Sequence, residues 1–309
     1  MFFGLFKREP KPYDAGWLYV GDGHEIAYYQ YGNPHGKPVL SFHGGPGGSA
    51  KFKYAAFHDL KKKRVILFDQ RGCGQSKFKD MLRNNTTQDT LRDAEKLLAH
   101  LGVKGKITVA GGSFGSTCAL LFAQKNPKRV ERIIVNSVFL ARRRDFVEWG
   151  YEDAKRFYPD IIERLENMAG SKPIVKYFHG LLFSSDRKKE LEALKYYGCL
   201  EESLGALEPK FELPPKDKID AYVKGLKIFM HYETNAMFIK ENQILADARK
   251  IKHIPTFIAH NRLDMICPFE QAWVLHKALP KSKLLIVPDH GHGSDMQTKT
   301  FKKFIKARP

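Results

Sequence analysis

Ser113 lies in Gly111-Gly112-Ser113-Phe114-Gly115, between the run Ile107 to Ala110 and the apolar stretch Ser116 to Ala123. A strand that turns sharply into a helix thrusts a serine at the turn above the sheet, and glycines on either side are needed where a Cβ would strike backbone. The pattern G-x-S-x-G is weak alone and strong in this strand-turn-helix context. A serine hydroxyl is too weakly acidic to attack an acyl carbon unaided, so a base must take its proton. Of the 12 histidines, those at the tip of a late strand can lie beside Ser113. The run Leu284 to Val287 leads into Pro288-Asp289-His290-Gly291-His292-Gly293-Ser294. His290 stands closer to the strand end, but His292 has a glycine on each side, which allows the tight loop that returns an imidazole to the serine, so His292 is the favoured base. Thr256 to His260 runs into Asn261-Arg262-Leu263-Asp264, which places an orienting carboxylate, Asp264, after the preceding strand. The oxyanion of an acyl transfer needs preorganised N–H donors. Phe114 supplies one from its backbone, and Gly45, in His43-Gly44-Gly45-Pro46-Gly47-Gly48, supplies the other. A phosphate cradle is the weaker reading of that loop, because the Lys-Ser/Thr pair is missing. Zinc on His290 and His292 is disfavoured for want of a further ligand cluster, so no metal or cofactor is predicted.

These residues need a scaffold that brings three loops to one edge. Short β-branched runs at Glu25 to Gln30, Val39 to Phe42, Val65 to Asp69, Ile107 to Ala110, Ile133 to Asn136, Thr256 to His260 and Leu284 to Val287 alternate with helical patterns near Thr87 to His100, Phe114 to Gln124, Phe269 to Leu279 and Lys299 to Lys306. That rhythm predicts a mostly parallel sheet flanked by helices. From about residue 140 to 240 the rhythm breaks into helical periodicity, with Phe157, Ile161, Ile162 and Leu165 as one stripe. The expected organisation is a core formed by residues 1–139 and 241–309, with 140–240 inserted as a helical cap over the carboxyl ends of the strands, where ligands bind in open α/β sheets. The order Ser, Asp, His and this architecture together resemble the α/β-hydrolase fold.

Of 309 residues, 43% are hydrophobic, enough for one large core with an accessory insertion. The net charge is +18, yet the basic runs Lys61 to Arg64, Arg142 to Arg144 and Arg187 to Lys189 are far apart and belong to no nucleic-acid module, so they read as solvated surface and no nucleic-acid partner is expected. Cys73, Cys118, Cys199 and Cys267 lack paired spacing, which suits reduced thiols. The apolar start Met1 to Phe6 meets Lys7-Arg8-Glu9 too soon to be a signal-peptide core. With no uncharged run long enough for a bilayer, the expectation is a cytoplasmic protein with no membrane partner.

The chain resembles the proline iminopeptidase family of α/β-hydrolases over nearly its whole length, in HGGPGG at His43 to Gly48, FDQRGCGQS at Phe68 to Ser76, NNTT at Asn84 to Thr87, GGSFGST at Gly111 to Thr117, NRLDMICP at Asn261 to Pro268 and DHGHGS at Asp289 to Ser294. The resemblance implies removal of an N-terminal residue, preferentially proline, from peptides. It also implies that a cap glutamate holds the substrate's free amine, and the family's W-x-x-W-E element aligns that residue with Glu201. The chain departs from the family where the aromatic pair becomes Tyr197 and Leu200 and the tryptophan after the nucleophile becomes Phe114. The element R-I-E-x-H-Y-F becomes Lys227-Ile228-Phe229-Met230-His231-Tyr232-Glu233, so carboxylate and phenyl ring have traded places. Positions 229 and 233 share a helix face, so Glu233 either reaches the same cavity from one turn away or is solvated. An esterase or amidase on small acyl substrates and a non-catalytic binding protein are the competing readings.

Overall fold

The computed structural model describes residues 10–198, 200, 204 and 211–306, and of residues 147–150 the backbone alone. Nine strands form one sheet: β1 Asp14–Gly21, β2 His24–Gly32, β3 Lys37–Phe42, β4 Lys63–Phe68, β5 Lys77–Phe78, β6 Ile107–Ser113, β7 Val130–Val138, β8 Thr256–Leu263 and β9 Ser282–His290. The order is β1-β2-β4-β3-β6-β7-β8-β9, with β5 on β2. β2 runs antiparallel to β1 and β4, and from β4 through β3 to β9 the neighbours are parallel. Helices on both faces bury the central strands, which explains why β3, β4 and β6 read as continuous apolar runs rather than as alternation.

Past the single-turn helix α1 (Phe52–Ala55), the longer α2 (Thr87–His100) and α3 (Phe114–Lys125) meet Leu40, Phe42, Ile66 and Phe68 on one face of the sheet. The Phe42 ring packs edge-on against Phe68 at 5.5 Å and, tilted, against Phe122 at 5.9 Å. α2 begins where Thr86 and Asp89 each accept from the other's backbone N–H, a capping box that satisfies two otherwise orphaned donors. On the opposite face Val39, Val65 and Ala110 meet Phe301 and Ile305 of the last helix, Asp295–Lys306. That helix starts four residues before the position expected from its apolar pattern. β1 was not legible from its pattern, because exposed Trp17 and Tyr19 alternate with Leu18 and Val20, leaving apolar side chains on both faces and no period of two.

Between β7 and β8 no strand occurs among the described residues. The chain passes through a π-helical stretch (Arg144–Asp153) and then the helices Pro159–Ala169, Ile174–Leu182, Arg187–Ala193 and Ile219–Thr234, the last referred to below as the long helix. These pack a core of their own from Ile161, Ile162, Leu165, Phe178, Leu182, Leu194 and Tyr197. The long helix joins this core to the sheet: Ile228 and Tyr232 enter the sheet-side cluster while Val223 and Met230 enter the other. One reading from sequence needs correction at the entry to this segment. Arg142 is not solvated surface but buried, donating to Asp145 (2.9 and 2.7 Å) and Glu270 (2.6 Å). Its guanidinium forks between two carboxylates, one of them in the helix Phe269–Ala278, and so ties the segment to the sheet.

Candidate active site

Ser113 ends β6 and precedes the first residue of α3, with φ 56° and ψ −134°. That backbone conformation is costly for a residue with a side chain and persists only where surrounding structure dictates it. The turn is packed from below: a Cβ on Gly115 would lie 2.3 Å from the Phe42 carbonyl oxygen, so only glycine lets β3 pass under the turn. Ser116 Oγ donates to the Ser113 carbonyl (2.7 Å) and accepts from Phe139 N–H (3.0 Å), pinning the start of α3 to the end of β7.

Asp264 and His292, from the loops after β8 and β9, are in contact. His292 Nδ1 lies 2.9 Å from Asp264 Oδ2 and 3.1 Å from Oδ1. Asp264 is buried and its Oδ1 also accepts from the N–H groups of Ile266 and Cys267 (3.0 and 2.9 Å), so the carboxylate is oriented before it meets the imidazole. His290 stands apart from this pair, largely exposed, with Nδ1 3.3 Å from Asp289.

Two residues that sequence reasoning did not single out hold these loops. Asn261, fully buried, directs Nδ2 to the carbonyls of His290 and Gly291 (3.2 and 2.9 Å) and to Ser294 Oγ (3.2 Å), which fixes the loop carrying His292. His260, also fully buried, accepts from Val138 N–H at Nδ1 (3.0 Å) and donates from Nε2 to the Cys267 carbonyl (2.7 Å). Burial lowers its pKa despite Asp264 nearby, so it is a neutral imidazole with one tautomer, bracing the end of β7 against the Asp264 loop. The only signal in the sequence was position, at the end of a strand, because a lone histidine there carries no spacing pattern.

The glycine loop is braced in the same way. Buried His43 accepts from Gln70 N–H at Nε2 (3.1 Å) and donates from Nδ1 to the Gly44 carbonyl (2.8 Å), while Gln70 Nε2 donates to the His43 carbonyl (3.0 Å). Burial holds this imidazole neutral as well. A Cβ on Gly44 would lie 3.2 Å from that of Ser113, which measures how near the loop comes to the serine.

Gly45, Ser113 and Glu233 line one cavity, together with Phe139, Phe146 and Leu204 among its apolar walls. Ile266 and Cys267, whose N–H groups hold Asp264, line it too. Phe114 is placed differently from Gly45: its ring is fully buried under the site, edge-on to Tyr232 at 5.3 Å, and its backbone opens α3. Glu233 is buried rather than solvated, 7% exposed, on the cavity side of the long helix with Phe229 one turn before it. Tyr197 donates to its Oε2 (2.5 Å) and Tyr151 to its Oε1 (3.0 Å), which brings the two phenol oxygens against each other. Burial and the adjacent carboxylate push the Tyr197 phenol well above its ordinary range, so it remains a donor. Glu201 lies outside the described residues.

A family model described as alpha/beta hydrolase fold matches residues 37–296. A proline iminopeptidase from Xylella fastidiosa (strain Temecula1) is 40% identical over 294 residues, covering 93% of each chain, and one from Arabidopsis thaliana is 37% identical over 293 residues, covering 92% of this chain and 76% of that protein. Among solved structures, a bromoperoxidase from Bacillus anthracis superposes with a TM-score of 0.65 at 19% identity, covering 95% of this chain and 99% of the other. A proline iminopeptidase-related protein from Thermus thermophilus superposes with a TM-score of 0.60 at 21% identity, covering 95% and 97%. The structural likenesses establish the α/β-hydrolase fold, and the sequence relatives establish more: the chain is a hydrolase and belongs to the proline iminopeptidase family.

Proposed function

We propose that this hydrolase is a serine aminopeptidase that releases an N-terminal residue, proline or one of similar size, from peptides. The observation that carries the reading is the buried Glu233 carboxylate in the same cavity as Ser113. A buried carboxylate lining the same cavity as a reactive serine suits a substrate whose ammonium lies one residue from the bond to be cut, and an ester or blocked peptide would forgo that charge-assisted contact. The relatives' names support the same substrate class.

In this reading His292 takes the proton of Ser113 as its Oγ attacks the carbonyl carbon, and Asp264 steadies the imidazolium that results. The N–H groups of Gly45 and Phe114 receive the oxyanion. The tetrahedral intermediate collapses with His292 returning the proton to the departing amine, and water then releases the acyl group by the same steps. Glu233, and Glu201 by family alignment, hold the amine. The helices within 140–240 act as a cap that carries this recognition, while the sheet carries the chemistry.

The test compares prolyl p-nitroanilide with its N-acetyl form. Acetylation should lower kcat/KM by about thirtyfold or more, the loss of roughly 2 kcal/mol when a charge-assisted contact disappears. Equal values on the two substrates would reject the aminopeptidase reading in favour of an esterase or amidase.

A further inference from the structure

A second cavity adjoins the first behind the glycine loop. Gly45, Pro46, Tyr197 and Phe229 line both, so the two share a wall. Its floor exists because two backbones touch: a Cβ on Gly47 (φ 87°) would lie 2.2 Å from the Gly225 carbonyl oxygen, so the glycine loop seats directly on the long helix. This contact brings Lys224 of the helix and Lys51, just past the loop, to the same cavity. Among the described residues that line it, these two lysines carry charge and no carboxylate does.

Neither lysine forms an ion pair with a carboxylate among the described residues. Lys51 is exposed, and its charge bears on Lys53, whose ammonium is depressed by burial and then by Lys51, and on His43 beneath the loop. Lys224 is half-buried; among the described residues its ammonium donates to the Gly74 carbonyl (3.2 Å) and lies 5.8 Å from the Phe78 ring centroid, which leaves ammonium protons for a ligand. The inner cavity therefore presents an anion to the substrate's amine, and the outer one presents cations on the other side of the glycine loop and its neighbour Ser113. A short peptide has this polarity, with an ammonium at one end and a carboxylate at the other.

We propose that the outer cavity is a leaving-peptide subsite in which Lys51 and Lys224 bind the C-terminal carboxylate of a short peptide, so that the enzyme prefers short free-acid peptides over their amides. The inference rests on the aminopeptidase reading for its orientation of substrate. The chain's net charge of +18 then has a local use, because cations beside a concave site raise the local concentration of anionic peptides.

The test measures binding, so that it does not depend on turnover. Peptides Pro-Gly to Pro-Gly-Gly-Gly-Gly, each as free acid and as C-terminal amide, are titrated calorimetrically into the Ser113→Ala protein. At the best-matched length the acid should bind about fivefold or more tighter than the amide, and the ratio should shrink in high salt, as for a solvent-accessible charge contact. Adding Lys51→Gln and Lys224→Gln should bring the ratio below about twofold, with Lys51→Gln alone giving an intermediate value; Lys51 is exposed, so that variant tests the idea without disturbing packing. A ratio below twofold at every length in the Ser113→Ala parent, or one that survives both substitutions, overturns the proposal. Failure of the aminopeptidase reading shows separately, in the acetylation experiment on the wild-type enzyme.

Discussion

The edge of the sheet and the helical segment above it solve different problems. At the edge, Ser113, Asp264 and His292 each stand at or just beyond the end of a strand, β6, β8 and β9; tight turns direct Ser113 and Asp264, and Asn261 from β8 holds the loop of His292. In the helical segment Glu233 owes its place to a helix with three faces. Ile228 and Tyr232 face the sheet, Met230 faces the neighbouring helices and Phe229 with Glu233 faces the cavity. Groups set by backbone turns tolerate little change in the residues around them. A group set by packing can move one turn along its helix and still reach the same space.

If the two regions divide labour in this way, damage at the edge should abolish chemistry while sparing the fold. Ser113→Ala and His292→Ala should each lower kcat by roughly four orders of magnitude, as in other triads that act as a unit, with Tm near wild type. His290→Ala should leave most activity, because that ring is exposed and paired with Asp289 instead of Asp264. A dead His290→Ala beside an active His292→Ala would reverse the assignment.

The same contrast decides what could be read from the sequence. The parallel strands and the helices Thr87–His100 and Phe114–Lys125 were legible because burial on both faces leaves continuous apolar runs. The family was legible because its motifs sit in loops where glycine, serine and histidine have geometric duties. What escaped was non-local. Asn261 and His260 act through carbonyls and N–H groups of segments roughly 30 and 120 residues away in sequence, which no spacing rule reports. Arg142 looked like part of a basic run until its partners, Asp145 and Glu270, came from two different helices. The solvated and the buried alternatives for Glu233 were equally compatible with a face shared with Phe229, and only the packing of Tyr197 and Tyr151 around it separates them.

A second difference concerns acid. Burial holds the imidazole of His58 down at about 4, and it also lowers His43 and His260, all three in the sheet half. In the helical segment His231, half-buried, is the one so lowered among the described residues. Each takes a proton near pH 6.5 once unfolded, so below that value the unfolded chain binds more protons than the folded one and stability falls. The stabilisation is complete above about pH 6.5 and is lost progressively towards about pH 4. At pH 5 His58 alone should cost about 2 kcal/mol by linkage. The drop in Tm between pH 7.5 and pH 5 should be smaller in His58→Gln than in wild type. Equal drops would mean that this histidine is not held neutral by the core.

The finest distinction lies within the proposed recognition group. Tyr197 and Tyr151 donate to the two oxygens of Glu233, so the carboxylate is held in one orientation before any amine arrives. Tyr197→Phe removes one of those bonds and leaves the other, with little change in shape. The Glu233 carboxyl itself is retained, so the loss is one of orientation. KM for prolyl p-nitroanilide should therefore rise about two- to fivefold with kcat nearly unchanged, corresponding to roughly 0.5 to 1 kcal/mol of a hydrogen bond's net worth. Glu233→Gln removes the attraction itself and should lower kcat/KM by about tenfold or more on the same substrate. Neither change should affect turnover of the N-acetyl form, which offers no ammonium to the site. A merely structural role for Tyr197 would instead lower kcat on both substrates together. If Tyr197→Phe lowered KM, the phenol would be competing with the amine for Glu233, and the helical segment would restrain its carboxylate where the sheet edge prepares its own.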